Sequence, residues 1–229
     1  MATFLASRSL DDELLDGPDL DAPALQANLR EMALLNRLPG GVSASLAAVR
    51  QLLREGAASP SPLVLDAGTG YGDFARRIAS HAGVIAVDSS RDVLAVAARS
   101  LGGLPGVRLL QADVRDLPLP DAAVDVAHAS LLVHHLDPAS AVLALCELRR
   151  VARLGVVVND LQRGLLPFLG TAAAIWALAR SGVTRHDGIL SARRAYTLGE
   201  LDLLAAEAGL RPVRRSLRAW PRVTTVYAS

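Results

Sequence analysis

The stretch Leu63–Ala79, LVLDAGTGYGDFARRIA, decides how the rest of the chain reads. An apolar run ends in Asp66, three glycines follow at alternate positions (Gly68, Gly70 and Gly72), and a helix-like pattern begins. A strand-to-helix turn needs one glycine; three at this spacing imply that something lies close against the backbone. Outward from this point strand and helix signals alternate. VIAVD ends at Asp88 and is followed by SRDVLAVAARSL. VRLLQAD ends at Asp113, VDVAHAS at Ser130 and GVVVND at Asp160, with AVLALCELRRVARL reading as a helix between the last two. Strands at this spacing with helices between them predict βαβ units around a parallel sheet.

On the N-terminal side, residues 1–23 are acidic and broken by Gly17-Pro18 and Pro23. ALQANLREMALLNRL places Leu25, Leu29, Met32 and Leu35 at helical spacing before Pro39-Gly40-Gly41, and a second helix fits Ser43 to Glu55. The boundary GAASPSP then divides the chain into an N-terminal helical lid, 1–56, and a main domain, 57–229. On the C-terminal side, the apolar stretch Gly164 to Ala179 is shorter than the ~20 residues a membrane span needs and contains Pro167 and Gly170, so it predicts a buried helix. Leu165, Leu166, Phe168 and Trp176 on it are candidates for an apolar pocket wall. SGVTRHDGILSARR reads as a polar loop, TLGELDLLAAEAGL as a capped helix and RPVRRSLRAWPRVTTVYAS as a closing hairpin. The expected fold is α/β: a seven-stranded, mostly parallel sheet with helices on both faces and an antiparallel C-terminal hairpin.

Composition narrows the partners. The 24 basic residues are all arginine, yet the formal net charge is +1, so no global field draws the chain to nucleic acid. The Arg211, Arg214, Arg215, Arg218 and Arg222 cluster is expected to protect strand edges by charge. Cys146 is the only cysteine, which excludes an internal disulfide and a cysteine-built metal site. MATFLASRSLDDELLDGPDLD has acids where a secretory signal would be apolar, so a cytoplasmic protein, monomer or homodimer, is expected.

Asp66, Asp88, Asp113, Ser130 and Asp160 all end expected strands, where open α/β sheets bind ligands. Asp88 falls where an acid accepts both hydrogen bonds of a ribose diol. A dinucleotide fingerprint, however, needs G-x-G-x-x-G. Here the third glycine comes one place early, and Asp73 stands where a pyrophosphate would bring negative charge. The run D-x-G-x-G-x-G instead resembles motif I of the class I S-adenosylmethionine-dependent methyltransferases, whose ligand carries a sulfonium and an ammonium and so favours nearby carboxylates.

The resemblance extends over about residues 25 to 229. VIAVDSS is similar to the family's motif II, and QADVRDLPLPDAAVDVAHASLLVHHLDP to the following segment of the ubiquinone and menaquinone biosynthesis type. NLREMALLNRLPGG, TRHDGILSARRAYTLGEL and AGLRPVRRSLRAWPR look like a bacterial subgroup associated with type III polyketide synthases. The likeness implies a Rossmann-like sheet, S-adenosylmethionine as methyl donor with S-adenosylhomocysteine as product, and a small phenolic or quinone-like acceptor methylated on oxygen or carbon. By the same likeness Asp66 and Gly68 hold the methionine end and Asp88 the ribose, while Asp113 accepts from the adenine amino group and Val114 supplies a backbone N–H. Thr69, Gly70, Gly72, Ser89 and Ala129 complete the cofactor contacts, and Asn36 and Arg37 approach its carboxylate.

Bland readings stand beside these: Asp88 as a helix cap, a task Ser89 and Ser90 could take, and Asp113 as a turn acid. After the fourth strand, Ala129-Ser130-Leu131-Leu132 replaces the Asn/Asp-Pro-Pro-aromatic run of nucleic-acid amino-methylating enzymes, so no nucleic-acid substrate is expected. His135, with His134 as its substitute, is the candidate base in LLVHHLDP, since an unperturbed imidazole pKa near 6.5 suits a phenol's proton at neutral pH. Asp137 is too near in sequence to be taken as its orienter. His186 beside Asp187 is a polar-loop histidine, and no metal-ligand pattern is present. A nicotinamide-dependent oxidoreductase and a non-catalytic S-adenosylmethionine-binding module are the alternatives.

Overall fold

The computed structural model describes residues 3–11, 13–14, 22–37, 40–56 and 59–228. The breakers Gly17-Pro18, Pro39 and the alanines of GAASPSP lie outside them. Two helices, α1 (Ala22–Arg37) and α2 (Gly41–Glu55), precede β1 (Leu63–Ala67). The chain then runs through α3 (Asp73–Ile78), β2 (Gly83–Asp88), α4 (Arg91–Leu101), β3 (Val107–Gln111), β4 (Val124–Ser130), α5 (Pro138–Val151) and β5 (Ala152–Leu161). Helices α6 (Leu165–Leu178), α7 (Gly182–Arg194) and α8 (Leu198–Glu207) lead to β6 (Arg211–Ser216) and β7 (Arg222–Ala228). The seven strands pair in the order β3-β2-β1-β4-β5-β7-β6. The first five are parallel, and β7 runs antiparallel to both neighbours. The expected seven-stranded Rossmann-like sheet with its C-terminal hairpin is therefore present, and strand order reverses between β1 and β4.

Both faces of the sheet are covered, which is why its central strands read as continuous apolar runs. The two-residue period of β1 sends Leu65 and Ala67 into a core with Leu145 and Leu148 of α5 and Leu201 of α8. Val64 joins the opposite core, with Val42 and Val49 of α2, Phe74 of α3 and Ala97 of α4. Helix α2 thus belongs to the layer packed on the sheet. On the same face as Val64, the buried inner positions turn polar toward the strand ends. Asp66 and His128 lie side by side on β1 and β4, and the buried Asn159 of β5 stands two positions further along, opposite Ser130. His128 joins Asp66 Oδ1 through Nδ1 (2.9 Å) and Ser45 Oγ of α2 through Nε2 (2.9 Å), and its ring stacks on Phe74 at 3.7 Å. Asn159 Nδ2 donates to Ser45 Oγ and to the Gly41 carbonyl, both at 2.8 Å. This buried chain ties three strands to α2 beneath the glycine turn.

Two elements depart from the sequence reading. SGVTRHDGILSARR is not a loop but α7, capped by Ser181, whose side chain accepts from the Val183 N–H. Its inner face is largely polar, with Thr184, Asp187, Ser191 and Arg194 buried beside Leu190, and Gly182 and Gly188 lower its intrinsic propensity, so apolar periodicity could not reveal it. Helix α6 is not a buried helix. Only Thr171 and Ile175 of it are buried, while Leu166 is 70% and Trp176 66% exposed. No helix among the described residues is long and apolar enough to cross a membrane.

His128→Ala removes the donor from the buried Asp66 carboxylate and the stack on Phe74. Truncating one partner of such a buried pair is expected to lower the unfolding free energy by about 3–5 kcal/mol, read from urea denaturation. A change below ~1 kcal/mol would show that the network carries little of the fold.

Candidate active site

A cleft of ≈ 690 Å³ opens beyond the C-terminal ends of β1, β2 and β4, at the reversal of strand order. The turn after β1 forms its floor. Asp66 is buried and both of its oxygens are committed, Oδ1 to His128 and Oδ2 to the Thr69 hydroxyl at 2.8 Å. It therefore holds the turn in shape from below, with the Thr69 N–H donating to the Val87 carbonyl. The three glycines do different things. A Cβ at Gly70 would meet nothing within 4 Å, so this position is the open wall of the cleft, whereas one at Gly68 would stand 3.0 Å from Leu132. Gly72 does not line the cleft. It takes the left-handed conformation (φ 78°) that starts α3, and a Cβ there would press on Leu101.

At the end of β2, Asp88 accepts from the Gly70 N–H (3.3 Å) and the Ser90 N–H (3.1 Å). Capping of α4 falls to the Ser90 hydroxyl, which accepts from Val93 N–H, so Asp88 keeps lone pairs toward the cleft. Burial raises the Asp88 carboxyl above the usual range, against the lowering effect of those backbone donors. Asp73, on the first turn of α3, is likewise raised by burial and by the Asp66 charge, and accepts from Asn36 Nδ2 at 2.8 Å. Ser89, Asp113 and Val114 line the far end. Asp113 is held below the usual carboxylate range by Arg115, which grips both of its oxygens, so its expected adenine contact must share those oxygens with the guanidinium.

Not every expected contact is brought together. Arg37 ends α1 exposed and outside the cleft lining, while Asn36 beside it is buried and lines it. Ala129 is buried inside β4, and the lining at that strand's end is Ser130, Leu131 and Leu132. The Arg cluster divides. β6 is the exposed edge strand, its Arg214 and Arg215 paired with Glu55 and Asp202. Arg222 is buried, and donates to Asn36 Oδ1 and to the carbonyls of Leu35 and Asn36 at the end of α1. Burial pushes its guanidinium down to about 10.

The two histidines sit on a 3-10 turn, Val133–His135, whose carbonyls are pinned from outside. Arg8 donates to His134 O and Leu136 O, Arg194 to His135 O, and the Tyr196 hydroxyl to Leu136 O. The rings lie 4.2 Å apart and face different spaces. His135 lines the cleft, with Nδ1 3.8 Å from Glu13 Oε1. His134 is buried, with Nδ1 2.6 Å from Asp160 Oδ1. Burial opposes ionisation of Asp160, but His134 and the Leu161 and His134 N–H groups hold it below the usual range. Asp137 instead caps α5, through the Ser140 N–H.

His134 opens onto a second chamber of ≈ 90 Å³ that shares Met32 and Leu131 with the cleft. Glu13, Asn28, Thr184, Asp187 and Ser191 stand among its lining residues, although the surface exposed to it is almost wholly apolar, and α6 contributes Thr171, Ala174 and Ile175 rather than the expected Leu165, Leu166, Phe168 and Trp176. Sequence reasoning missed Glu13 and Asn28. Glu13 lies in an acidic run without periodicity, and Asn28 is a polar residue on the buried face of α1. His186 is half exposed and bonded to Asp187, outside both spaces. Glu13, His134 and His135 do bring ligand atoms within 4.8 Å of one another, a grouping that sequence spacing gave no sign of.

Comparison with known proteins agrees with this geometry. Residues 64–155 match the family model of a methyltransferase domain. The chain is 34% identical over 172 residues to the ubiquinone/menaquinone biosynthesis C-methyltransferase UbiE of Syntrophotalea carbinolica, covering 71% of this chain and 69% of that one. It is 35% identical over 144 residues to the malonyl-[acyl-carrier protein] O-methyltransferase of Serratia marcescens, covering 60% of this chain and 54% of that one. Two other curated relatives are spanned over 29% and 36% of their length. Among solved structures, human N-acetylserotonin methyltransferase in complex with S-adenosylmethionine has the same fold, with a TM-score of 0.68 at 15% identity over 91% of this chain and 56% of that one. The sheet order, the glycine turn with Asp88 beside it, and these relatives together place the chain in the class I S-adenosylmethionine-dependent methyltransferase family.

Proposed function

We propose that the protein transfers the methyl group of S-adenosylmethionine to oxygen or carbon of a small phenolic or quinone-like acceptor. The observation that carries this is the cleft over Gly68 and Gly70. It is open where a Cβ would stand at Gly70, bordered by the carboxylates of Asp88 and Asp73, and separated by Met32 and Leu131, which line both, from a chamber that has a histidine wall. The donor set fits this cofactor: Asp88 offers acceptor oxygens for the ribose hydroxyls, and Asp73 places negative charge where the methionine end is cationic. When bound, the cofactor supplies an already activated methyl group. In this reading α1 and the N-terminal segment cover it, and the protein's work is to align the acceptor and exclude water.

His135 is the proposed base. It lines the cleft, its backbone is held by Arg194, and the Glu13 carboxylate lies beside Nδ1. As the acceptor oxygen or carbon bonds to the methyl carbon, the carbon–sulfur bond breaks with its electron pair going to sulfur, and the acceptor's proton passes to the imidazole. His134, held by Asp160, is its neighbour and substitute. The names of the curated relatives, a malonyl-[acyl-carrier protein] O-methyltransferase and a ubiquinone/menaquinone biosynthesis C-methyltransferase, support methylation of either atom. A nicotinamide reading has only the fold in its favour.

Asp88→Ala should weaken S-adenosylhomocysteine binding by about 1.5–3 kcal/mol in calorimetry, the scale of a lost hydrogen bond to a charged group. Because burial raises both Asp88 and Asp73, each protonates before an ordinary aspartate as pH falls, and the cofactor prefers the ionised forms. Affinity should therefore decline on acidification while exposed carboxylates are still ionised; unchanged affinity through that range would remove these contacts from the reading.

His135→Ala should leave cofactor affinity nearly intact and reduce turnover on a weakly acidic phenol by roughly two to four orders of magnitude, with a smaller loss on acceptors that arrive deprotonated. Near-normal turnover in His135→Ala together with the loss in His134→Ala would transfer the role. Full turnover in both would leave alignment alone to carry the reaction, and binding without turnover on any acceptor would make the protein a non-catalytic module.

A further inference from the structure

We propose that the outer face of α6, with the turn between β6 and β7 and Phe4 beside it, docks on an anionic lipid surface; this stands apart from the methyltransferase reading above. The exposed apolar positions of α6 fall at helical spacing on one stripe: Leu165, Leu166, Leu169, Ala173, Trp176 and Ala177. None of them carries a charge, whereas the two buried positions of the same helix include Thr171. The usual arrangement of a surface helix, apolar inside and polar outside, is therefore absent. Trp220 extends the face. Its ring lies against Gly170, where a Cβ would collide with it, and both Trp220 and Leu217 of the same turn are exposed. Phe4, also exposed, adds to it through an edge-on contact with Phe168, 5.8 Å between ring centroids. A contiguous exposed apolar face of this kind marks a site of contact rather than ordinary surface.

Charge and chemistry indicate what covers it. No Asp or Glu occurs from Leu161 to His186. Arg180 stands exposed just past the end of α6, Arg185 lies 5.0 Å over the Trp176 ring, and Arg218 is exposed in the turn that carries Trp220. None of these three has a carboxylate partner among the described residues. Glu31 of α1 reaches this end of α6, but it accepts from the backbone N–H groups of Arg180 and Ser181. Leucine, tryptophan and arginine so arranged suit the boundary between acyl chains and headgroups: aliphatic side chains enter the chains, indole rings lie at headgroup level, and arginines meet the phosphates. A protein partner fits less well. Protein interfaces carry about one hydrogen bond per 100–200 Å², and apart from the bordering arginines this face offers only its two indole N–H groups. At 14 residues α6 is too short to span a bilayer, so it lies on the surface. Its inner side supplies Thr171, Ala174 and Ile175 to the second chamber, which docking would hold one helix away from the lipid.

The chain has two tryptophans, and both lie on this face, so its own emission reports docking. The test adds vesicles of phosphatidylcholine, alone or mixed with phosphatidylglycerol, to the full chain. Binding to the anionic vesicles should be at least about tenfold tighter than to the neutral ones and should weaken as salt rises. Emission should move to shorter wavelength and be quenched by brominated acyl chains. Leu166→Glu should weaken binding to the anionic vesicles about tenfold or more, and the double variant Arg180→Glu with Arg218→Glu several-fold. All three side chains are exposed, so the thermal unfolding midpoint should stay unchanged. No binding to vesicles, equal affinity for neutral and anionic ones, or binding that Leu166→Glu leaves intact would each overturn the proposal. Self-association that Leu166→Glu abolishes, without vesicle binding, would assign the face to contact between copies instead. No arm uses S-adenosylhomocysteine, so failure to bind that ligand would count against the methyltransferase reading and leave this inference standing.

Discussion

The hydrogen bond between Asp66 and His128 is the constraint on which the site depends. It joins neighbouring positions on β1 and β4, the strands that flank the reversal of sheet order. With one carboxylate oxygen held by His128, the other is left to fix Thr69, and through Thr69 the turn that carries Gly68 and Gly70. His128 is in turn held by Ser45, and Ser45 by Asn159, so α2, β1, β4 and β5 reach the base of the cleft in a single arrangement. Polar groups this deep specify one geometry where they are paired, as Asp66, His128 and Ser45 are, while Asn159 Oδ1 has no donor among the described residues. Asp66 stands in the motif that looks like a ligand contact, yet its oxygens are spent on structure. Asp66, Asp73 and Asp88 all line the cleft.

The same division between support and contact runs through the histidine turn. Its carbonyls are held by Arg8 from the N-terminal segment and by Arg194 and Tyr196 from α7 and the residues after it. Arg163 adds a second tie, donating to Leu5 O, Ala6 O and Ala195 O. The segment that delivers Glu13 is thus bound to the same frame as the two histidines. A displacement of α7 would move the chamber's wall and the histidine turn together.

Much of the cleft at the strand ends was legible in the sequence because its signals are local. An apolar strand, an acid, glycines that allow positive φ, and a second acid at the end of the next strand are each set by nearest neighbours, and the structure puts Asp66, Gly68, Gly70 and Asp88 where that order implies. What was not legible depends on contacts between distant parts of the chain. Helix α7 hides because its buried face is polar. Helix α6 looks buried by composition but leaves Leu166 and Trp176 to solvent. Arg37 and Asn36 are adjacent, and only the pitch of α1 decides that Asn36 faces the cleft. Gly72 repeats the motif's spacing, yet packing against Leu101 explains it. The second chamber is assembled from residues as far apart as Glu13 and Arg222, with no pattern linking them.

The most direct measurement is a crystal structure of the protein with S-adenosylhomocysteine. The ligand should lie over Gly68 and Gly70, with its ribose hydroxyls on the Asp88 carboxylate and its sulfur toward the side of the cleft where Leu131 and His135 stand. A ligand bound elsewhere, or bound in the cleft with Asp88 turned away from the ribose, would contradict the assignment of this cleft as the methyl-donor site.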